Sequence, residues 1–248
     1  MSLPKGFVSG SVAAGLKSNG ALDLTIIQNL GPSNFGTAVY TTNKVVAAPV
    51  IWSRQVTKGE AVSAAILNSG GANACTGPQG FADTHKSAEL VAKKLKISSS
   101  EVVVCSTGLI GEFLPMDKIE TGINQINLNE SGFEASAKAI MTTDSVPKMA
   151  STVIKGATFS GIAKGAGMLA PAMATMLSVV MTDAEVDPAD AKSAFDHAVE
   201  LTYNRIDSDG CTSTNDTVLF MASGASGVKL AGAELLNALI EVCSSLSS

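Results

Sequence analysis

Histidine is scarce, with only His85 and His197 in 248 residues. No G-x-S-x-G turn is present and neither histidine lies in a recognisable triad context, which excludes the usual serine hydrolase. Two distant histidines also argue against a histidine-rich zinc site. The four cysteines, Cys75, Cys105, Cys211 and Cys243, are widely spaced and form no C-x-x-C pair, so they read as reduced thiols and not a disulfide framework. Cys75 and Cys105 are expected to be small buried residues without a lowered thiol pKa. Lysine and arginine form no cluster and the net charge is −5, which disfavours a nucleic-acid partner and leaves small-molecule work open. There is no apolar run of transmembrane length. No basic start precedes an apolar core and a small-residue cleavage site, so the expected location is cytoplasmic with no membrane contact. Walker A is absent. "GAGMLA" at 165–170 fits G-x-G-x-x-A, but Pro171 and a β-like run follow where a dinucleotide fingerprint would open a helix.

Hydrophobic residues make up 46% of the chain and charged residues 16%, the balance of a folded protein large enough for a full core. Strands are expected at Phe7–Ala13, Leu24–Asn29, Thr37–Thr41 and Ala61–Leu67, the last leading into the flexible-backbone loop "NSGGANACTG". "THKSAELVAKKLKI" carries apolar residues at helical spacing, "EVVVCSTGLIG" reads as a β-branched strand entering a glycine turn, and "NESGFEASAKAIMTTD" as a helix ending near Thr142. "ATFSGIAKGAG", "ATMLSVVMTDA" and "NDTVLFMASG" read as strands. "DPADAKSAFDHAVELTYNRI" reads as a helix capped by Asp187 with Pro188 at its first position, and "AGAELLNALIEVCSSL" as a last helix. No fixed-period repeat and no low-complexity linker interrupts them. Strands and helices in mixed runs predict a layered α+β fold.

The stretch "KGAGMLAPAMATMLSVV", 164–180, holds the sharpest chemical question. A threonine hydroxyl needs a base to become a nucleophile, and no histidine is at hand. A free α-amine on the same residue can serve, since its pKa is about 8 and a useful fraction is unprotonated at neutral pH. An internal threonine acquires that amine only if the chain is cut before it. Ala172 and Ala174 leave room for hydroxyl and backbone to approach. The dipeptide alone favours the plainer reading, a threonine packed at the start of a buried strand.

Other segments weigh on that choice. "TTNKVVAAPV" (41–50), "LNSGGANACTG" (67–77), "CSTGLIG" (105–111), "MTTDSVPK" (141–148), "KGAGMLAPAMATML" (164–177) and "TSTNDTV" (212–218) together resemble the ornithine acetyltransferase family, the glutamate N-acetyltransferases of the cyclic arginine pathway. The resemblance runs in order along nearly the whole chain. It implies an α+β sandwich of the N-terminal-nucleophile-like type, self-cleaved between Ala174 and Thr175 into an α piece (1–174) and a β piece (175–248), the pieces pairing as an α2β2 heterotetramer. It implies acetyl transfer from N2-acetylornithine to glutamate through an acetyl ester on Thr175, without cofactor, some members also using acetyl-CoA. By the same resemblance Thr107 and Gly108 match the oxyanion hole, and Thr142, Lys164 and Thr175 match substrate-binding positions. Thr143 competes with Thr142. Asn215 and Asp216 are expected to fix backbone near the site or cap a turn, outside the catalytic set. Cys211 stands where an acidic residue is common in the family. The family also continues beyond the position of Ser248, with an acidic substrate contact and a pocket-closing segment, so the C-terminal part is expected to be missing here. Two other readings stand beside this one: an N-terminal-nucleophile amidase or aminopeptidase that passes its acyl group to water, and an inactive remnant.

Overall fold

The computed structural model describes residues 1–165, 176–206 and 211–247. The first half contains β1 (Phe7–Val12), β2 (Leu24–Asn29), β3 (Phe35–Tyr40), α1 (Ala48–Thr57), β4 (Ala64–Gly71), α2 (Gly77–Leu95), β5 (Val102–Leu109), α3 (Met116–Gln125) and α4 (Phe133–Ala139). The second half contains β6 (Lys148–Ile154), β7 (Ala157–Lys164), β8 (Leu177–Thr182), α5 (Pro188–Leu201), β9 (Thr217–Ala222) and α6 (Gly232–Leu246). They build a four-stranded sheet in the order β1-β2-β4-β5 and a five-stranded sheet in the order β3-β9-β8-β7-β6. Each sheet is antiparallel except for one parallel pair, β4–β5 in the first and β8–β9 in the second.

The two-residue period of a strand explains the layering. Ile27, Leu67 and Val103 on one face of the smaller sheet meet Val179, Met181 and Leu219 of the larger sheet in one core, with Phe133 and Ala137 of α4 inserted among them. Their neighbours Ile26, Ile66 and Val104 point the other way, into a second core with Val91 of α2 and Ile123 of α3. Val180, Val218 and Phe220 face α5 and α6 in a third. The result is helices, sheet, sheet, helices, which agrees with the expected layered α+β fold. β8 and β9 are buried on both faces and read as unbroken apolar runs for that reason.

Local signals account for several ends. The Asp187 carboxylate accepts the N–H groups of Ala189 and Asp190 at 3.0 and 3.1 Å, and Pro188 takes the first helical position of α5. α6 buries Leu235, Leu239, Val242 and Leu246, a three-and-four spacing. The helix expected to end near Thr142 is shorter, closing at Ala139. The Ser69 hydroxyl takes the Ala139 carbonyl at 2.5 Å, and the Thr142 N–H goes to Asp144 Oδ2 at 3.0 Å instead of to a helical carbonyl. α1, α3 and β6 are elements that the sequence reading did not contain.

The outer core of the larger sheet is its aromatic part: Phe220 stacks on Phe195 with ring centres 5.3 Å apart and meets Phe35 edge-on at 6.3 Å. Phe220→Ala leaves a cavity that neither ring can fill from its own strand or helix. We expect a loss of about 3–5 kcal/mol in urea unfolding, with the secondary structure retained by circular dichroism.

Candidate active site

Parallel pairing brings like ends of strands together, and the site is built on two such ends. β4 and β5 finish side by side, Gly70 opposite Gly108, with a break in register at Gly71. Gly108 has φ +132°, and a Cβ on it would sit 2.5 Å from the Gly70 carbonyl carbon and 2.6 Å from the Gly71 nitrogen. Only glycine allows this approach of two backbones. β8 and β9 start side by side, and the residues just ahead of them, Met176 and Asp216, are joined: the Met176 N–H donates to Asp216 Oδ1 at 2.9 Å.

A cavity of about 660 Å³ opens beside the end of β5, walled by Thr107, Gly108, Gly70, Thr142, Thr143 and Lys17 among others. The structure therefore brings Thr107, Gly108 and Thr142 together, and Thr143 with them. Lys164, the last residue of β7, is 1% exposed, and its Nζ donates to Thr107 Oγ1 at 3.4 Å. An ammonium can only donate, so that contact occupies a lone pair of the Thr107 oxygen and leaves the hydroxyl proton free for another acceptor. Burial lowers the Lys164 pKa, while the carboxylates of Asp144 and Asp216 pull it back up and Lys17 lowers it further. Asp144 also ties two parts of the site together, taking the Gly165 N–H on Oδ1 at 2.7 Å and the Thr142 N–H on Oδ2. Lys164 is the register partner of Leu177, so the described chain stops at Gly165 and resumes at Met176 on the same edge of the sheet. Thr175 and Ala174, the expected nucleophile and cleavage site, lie outside the described residues.

Several groups at this place escaped the sequence reading. Lys17 is half-buried at the cavity wall, its Nζ donating to the Leu22 carbonyl at 2.9 Å, and burial lowers its pKa against the pull of Asp23 and Asp144. Asp23, fully buried, shapes that loop by accepting the N–H groups of Ala14, Leu16 and Lys17 at 2.6, 2.6 and 3.1 Å. Its signal was a lone carboxylate opening an apolar strand. Asn215 and Asp216 fix backbone near the site, as expected. The Asn215 Nδ2 donates to the carbonyls of Ala72 at 2.6 Å and Ser106 at 2.9 Å.

Asp216 is fully buried. Burial pushes its carboxyl up to about 6, against the Met176 N–H, the Ser213 hydroxyl, the Lys164 charge and the Thr41 hydroxyl. Neither hydroxyl completes a hydrogen bond to Oδ2, which has no partner among the described residues; Thr41 gives its proton to the Ser213 carbonyl at 2.6 Å. Cys105 is buried and its thiol is pushed up to about 12 by burial, so it stays protonated. Cys75 differs from expectation: it is exposed, because it occupies a left-handed position, φ 59°, in the loop after β4 and not a packed strand. Among the described residues no group of three His, Cys, Asp or Glu is placed to hold a metal, and no helix is long and apolar enough to cross a membrane.

Fold and site together define a two-sheet α+β protein with a buried lysine beside a threonine–glycine strand end and an adjacent cavity. The chain belongs to the ArgJ family, whose model matches residues 8–248. An arginine biosynthesis bifunctional protein ArgJ from Streptomyces avermitilis is 52% identical over 244 residues, covering 98% of this chain and 64% of the relative. The ArgJ of Mycolicibacterium paratuberculosis is 51% identical over 253 residues, covering 98% and 63%. The chain thus spans a little under two thirds of the length of the curated relatives it matches. A crystal structure of ornithine acetyltransferase from Mycobacterium tuberculosis complexed with ornithine is similar at 44% identity and a TM-score of 0.58, over 70% of this chain and 94% of that one. An ArgJ crystal structure from Bacillus halodurans is similar at 39% identity and a TM-score of 0.63, over 70% and 92%.

Two predictions follow from the site's own physics. Gly108→Ala forces β5 away from β4, so we expect a loss of about 1–3 kcal/mol in urea unfolding and altered chemical shifts at Thr107 and Gly70. For Asp216 the sign is set by its raised pKa: the folded chain binds this proton more tightly than the unfolded chain. Its contribution is therefore favourable at low pH and is lost as pH rises from the usual aspartate value of 3.8 to about 6. The loss amounts to about 3 kcal/mol. Asp216→Asn removes that titration, so the stability of the variant relative to the parent should grow between pH 4 and pH 7 in urea unfolding and then level off.

Proposed function

We propose that this chain is an acyltransferase of arginine biosynthesis that moves acetyl from N2-acetylornithine to glutamate through an ester on Thr175. The observation that carries this reading is the cavity walled by Thr107, Gly108 and Thr142, with the buried Lys164 ammonium in contact with the Thr107 hydroxyl. Membership of the ArgJ family supports it, as does the ornithine complex of the M. tuberculosis relative.

In this mechanism the Thr175 hydroxyl first attacks the Ala174 carbonyl. The C–N bond breaks, the acyl group moves to oxygen, and water hydrolyses the ester. Residues 1–174 and 175–248 are then separate pieces of one protein, which we assign to an α2β2 assembly. The new α-amine takes the hydroxyl proton as Thr175 attacks the acetyl carbonyl of acetylornithine; the ornithine amine leaves with a proton. The glutamate amine attacks the resulting ester and restores the free hydroxyl. Each tetrahedral intermediate carries an oxyanion, for which the Thr107 hydroxyl and the Gly108 N–H are the proposed donors, each worth on the order of 3 kcal/mol of barrier. Lys164 and Thr142 are proposed to hold the substrate, Lys164 as a point charge toward a carboxylate. Acetyl-CoA is a candidate second donor, and the cytoplasm the proposed location.

Denaturing mass spectrometry of the purified chain should show two pieces divided before Thr175, and acetylornithine with glutamate should yield acetylglutamate and ornithine. Thr175→Ala should leave one intact chain without transfer, and Thr175→Ser should cleave more slowly than the parent. Acetate and ornithine without acetylglutamate would assign the protein to the amidases. A parent that stays in one piece on long incubation would make it a remnant.

A further inference from the structure

The loop ahead of β9 touches both halves of the site through two consecutive side chains. Asn215, 5% exposed, donates both protons of its amide, one to the Ala72 carbonyl and one to the Ser106 carbonyl. Only the NH2 end of the side chain can face two carbonyls, and Thr214 Oγ1 donates to the opposite end, Oδ1, at 2.6 Å. A peptide unit is planar, so fixing the Ser106 carbonyl fixes the peptide that leads into Thr107, the backbone from which the Thr107 hydroxyl and, one peptide on, the Gly108 N–H project. Asp216 takes the Met176 N–H and so fixes the backbone that enters β8. The loop is itself anchored: the Thr41 N–H donates to the Asp216 carbonyl at 2.9 Å and the Ala47 N–H to the Thr214 carbonyl at 3.0 Å.

We propose that Asn215 and Asp216 are the positioning residues of the reacting centre, a clamp through which one rigid loop holds the Thr107–Gly108 donors in register with the Met176 backbone at the start of β8. Resting on the acyl-transfer reading above, the inference adds where the alignment comes from. Two groups carried on different sheets must be held within a fraction of an ångström of each other, and a misplacement of about 1 Å costs on the order of 100-fold in rate. A single loop bonded to both removes the relative motion of the sheets from that geometry. The second oxygen of Asp216, without a partner among the described residues, is held here at the expense of its own solvation.

The test follows self-cleavage by intact mass in the whole chain. Asp216→Ala and Asn215→Ala should each slow cleavage on the order of 100-fold. Asp216→Asn keeps an acceptor for the Met176 N–H and should stay within about tenfold of the parent. Asn215→Asp keeps the shape but loses both donors and should be as slow as Asn215→Ala. Parental rates in either alanine variant would overturn the clamp, and so would an Asp216→Asn rate as low as that of Asp216→Ala. A parent that does not cleave would sink the acyl-transfer reading alone. The clamp is then read by amide exchange in the Thr175→Ala chain, where adding Asp216→Ala should speed exchange of the Met176 N–H at least tenfold and adding Asp216→Asn should not. Equal exchange in both would overturn it.

Discussion

A lysine charge buried between two sheets is the constraint around which this site is arranged. Lys164 ends β7 with 1% of its surface exposed, and an ammonium in that position is tolerable only with carboxylates near it and an acceptor in contact. Asp144 and Asp216 supply the negative charge, and the Thr107 hydroxyl supplies the contact. Each compensating group then acquires a second connection. Asp144 holds the Thr142 loop against Gly165, Asp216 holds Met176, and Thr107 turns its free proton away from the lysine.

Topology explains why such groups can meet at all. An antiparallel pair places the end of one strand beside the start of the next, so the loops at one edge alternate in direction. The single parallel pair in each sheet does the opposite. β4 and β5 both end at the site, delivering the loop from Ala72 and the Thr107–Gly108 pair, and β8 and β9 both begin there, delivering Met176 and Asp216. Ligand sites at the ends of parallel strands are a general outcome of this geometry. Here two pairs from two packed sheets share one such place, and Asn215 bridges them with bonds to Ala72 and Ser106.

Much of the architecture was legible because apolar runs survive in the sequence: β2, β8 and β9 are wholly buried and α5 announces itself with Asp187 and Pro188. α1 was not legible, since "VVAAPVIW" looks extended and the helix sits on a buried polar residue, Ser53, whose hydroxyl donates to the Val104 carbonyl and accepts the Val104 N–H at 2.8 and 3.0 Å. α3 buries only Ile119, Gly122 and Ile123, too narrow a stripe to stand out from a loop. Thr107, Gly108, Thr142 and Lys164 were found through motif resemblance; no local pattern says that a lysine after "GIA" will be buried. Asp23, Lys17 and Asp144 were missed because each acts on backbone or charge contributed from a distant segment, and single-sequence reading has no access to such pairs. Asp216 was read as fixing backbone near the site or capping a turn, and which backbone was not legible because its partner N–H lies 40 positions away.

Asp216 also shows two roles separated within one side chain. Holding the Met176 N–H needs only an acceptor oxygen, and an asparagine would provide one without the desolvation that raises this carboxyl to about 6. A burden of about 3 kcal/mol at neutral pH is large for a domain whose net stability is of order 5–15 kcal/mol, so the hydrogen bond by itself does not account for a carboxylate. The charge accounts for it. With Asp216 neutral, Lys164 would keep only Asp144 against both its own burial and the repulsion of Lys17, and its pKa would fall further toward the neutral amine. The acceptor oxygen therefore serves the backbone of the strand start, while the negative charge serves the lysine, and the two demands meet on the only carboxylate that the β9 entry loop, 211–216, contributes.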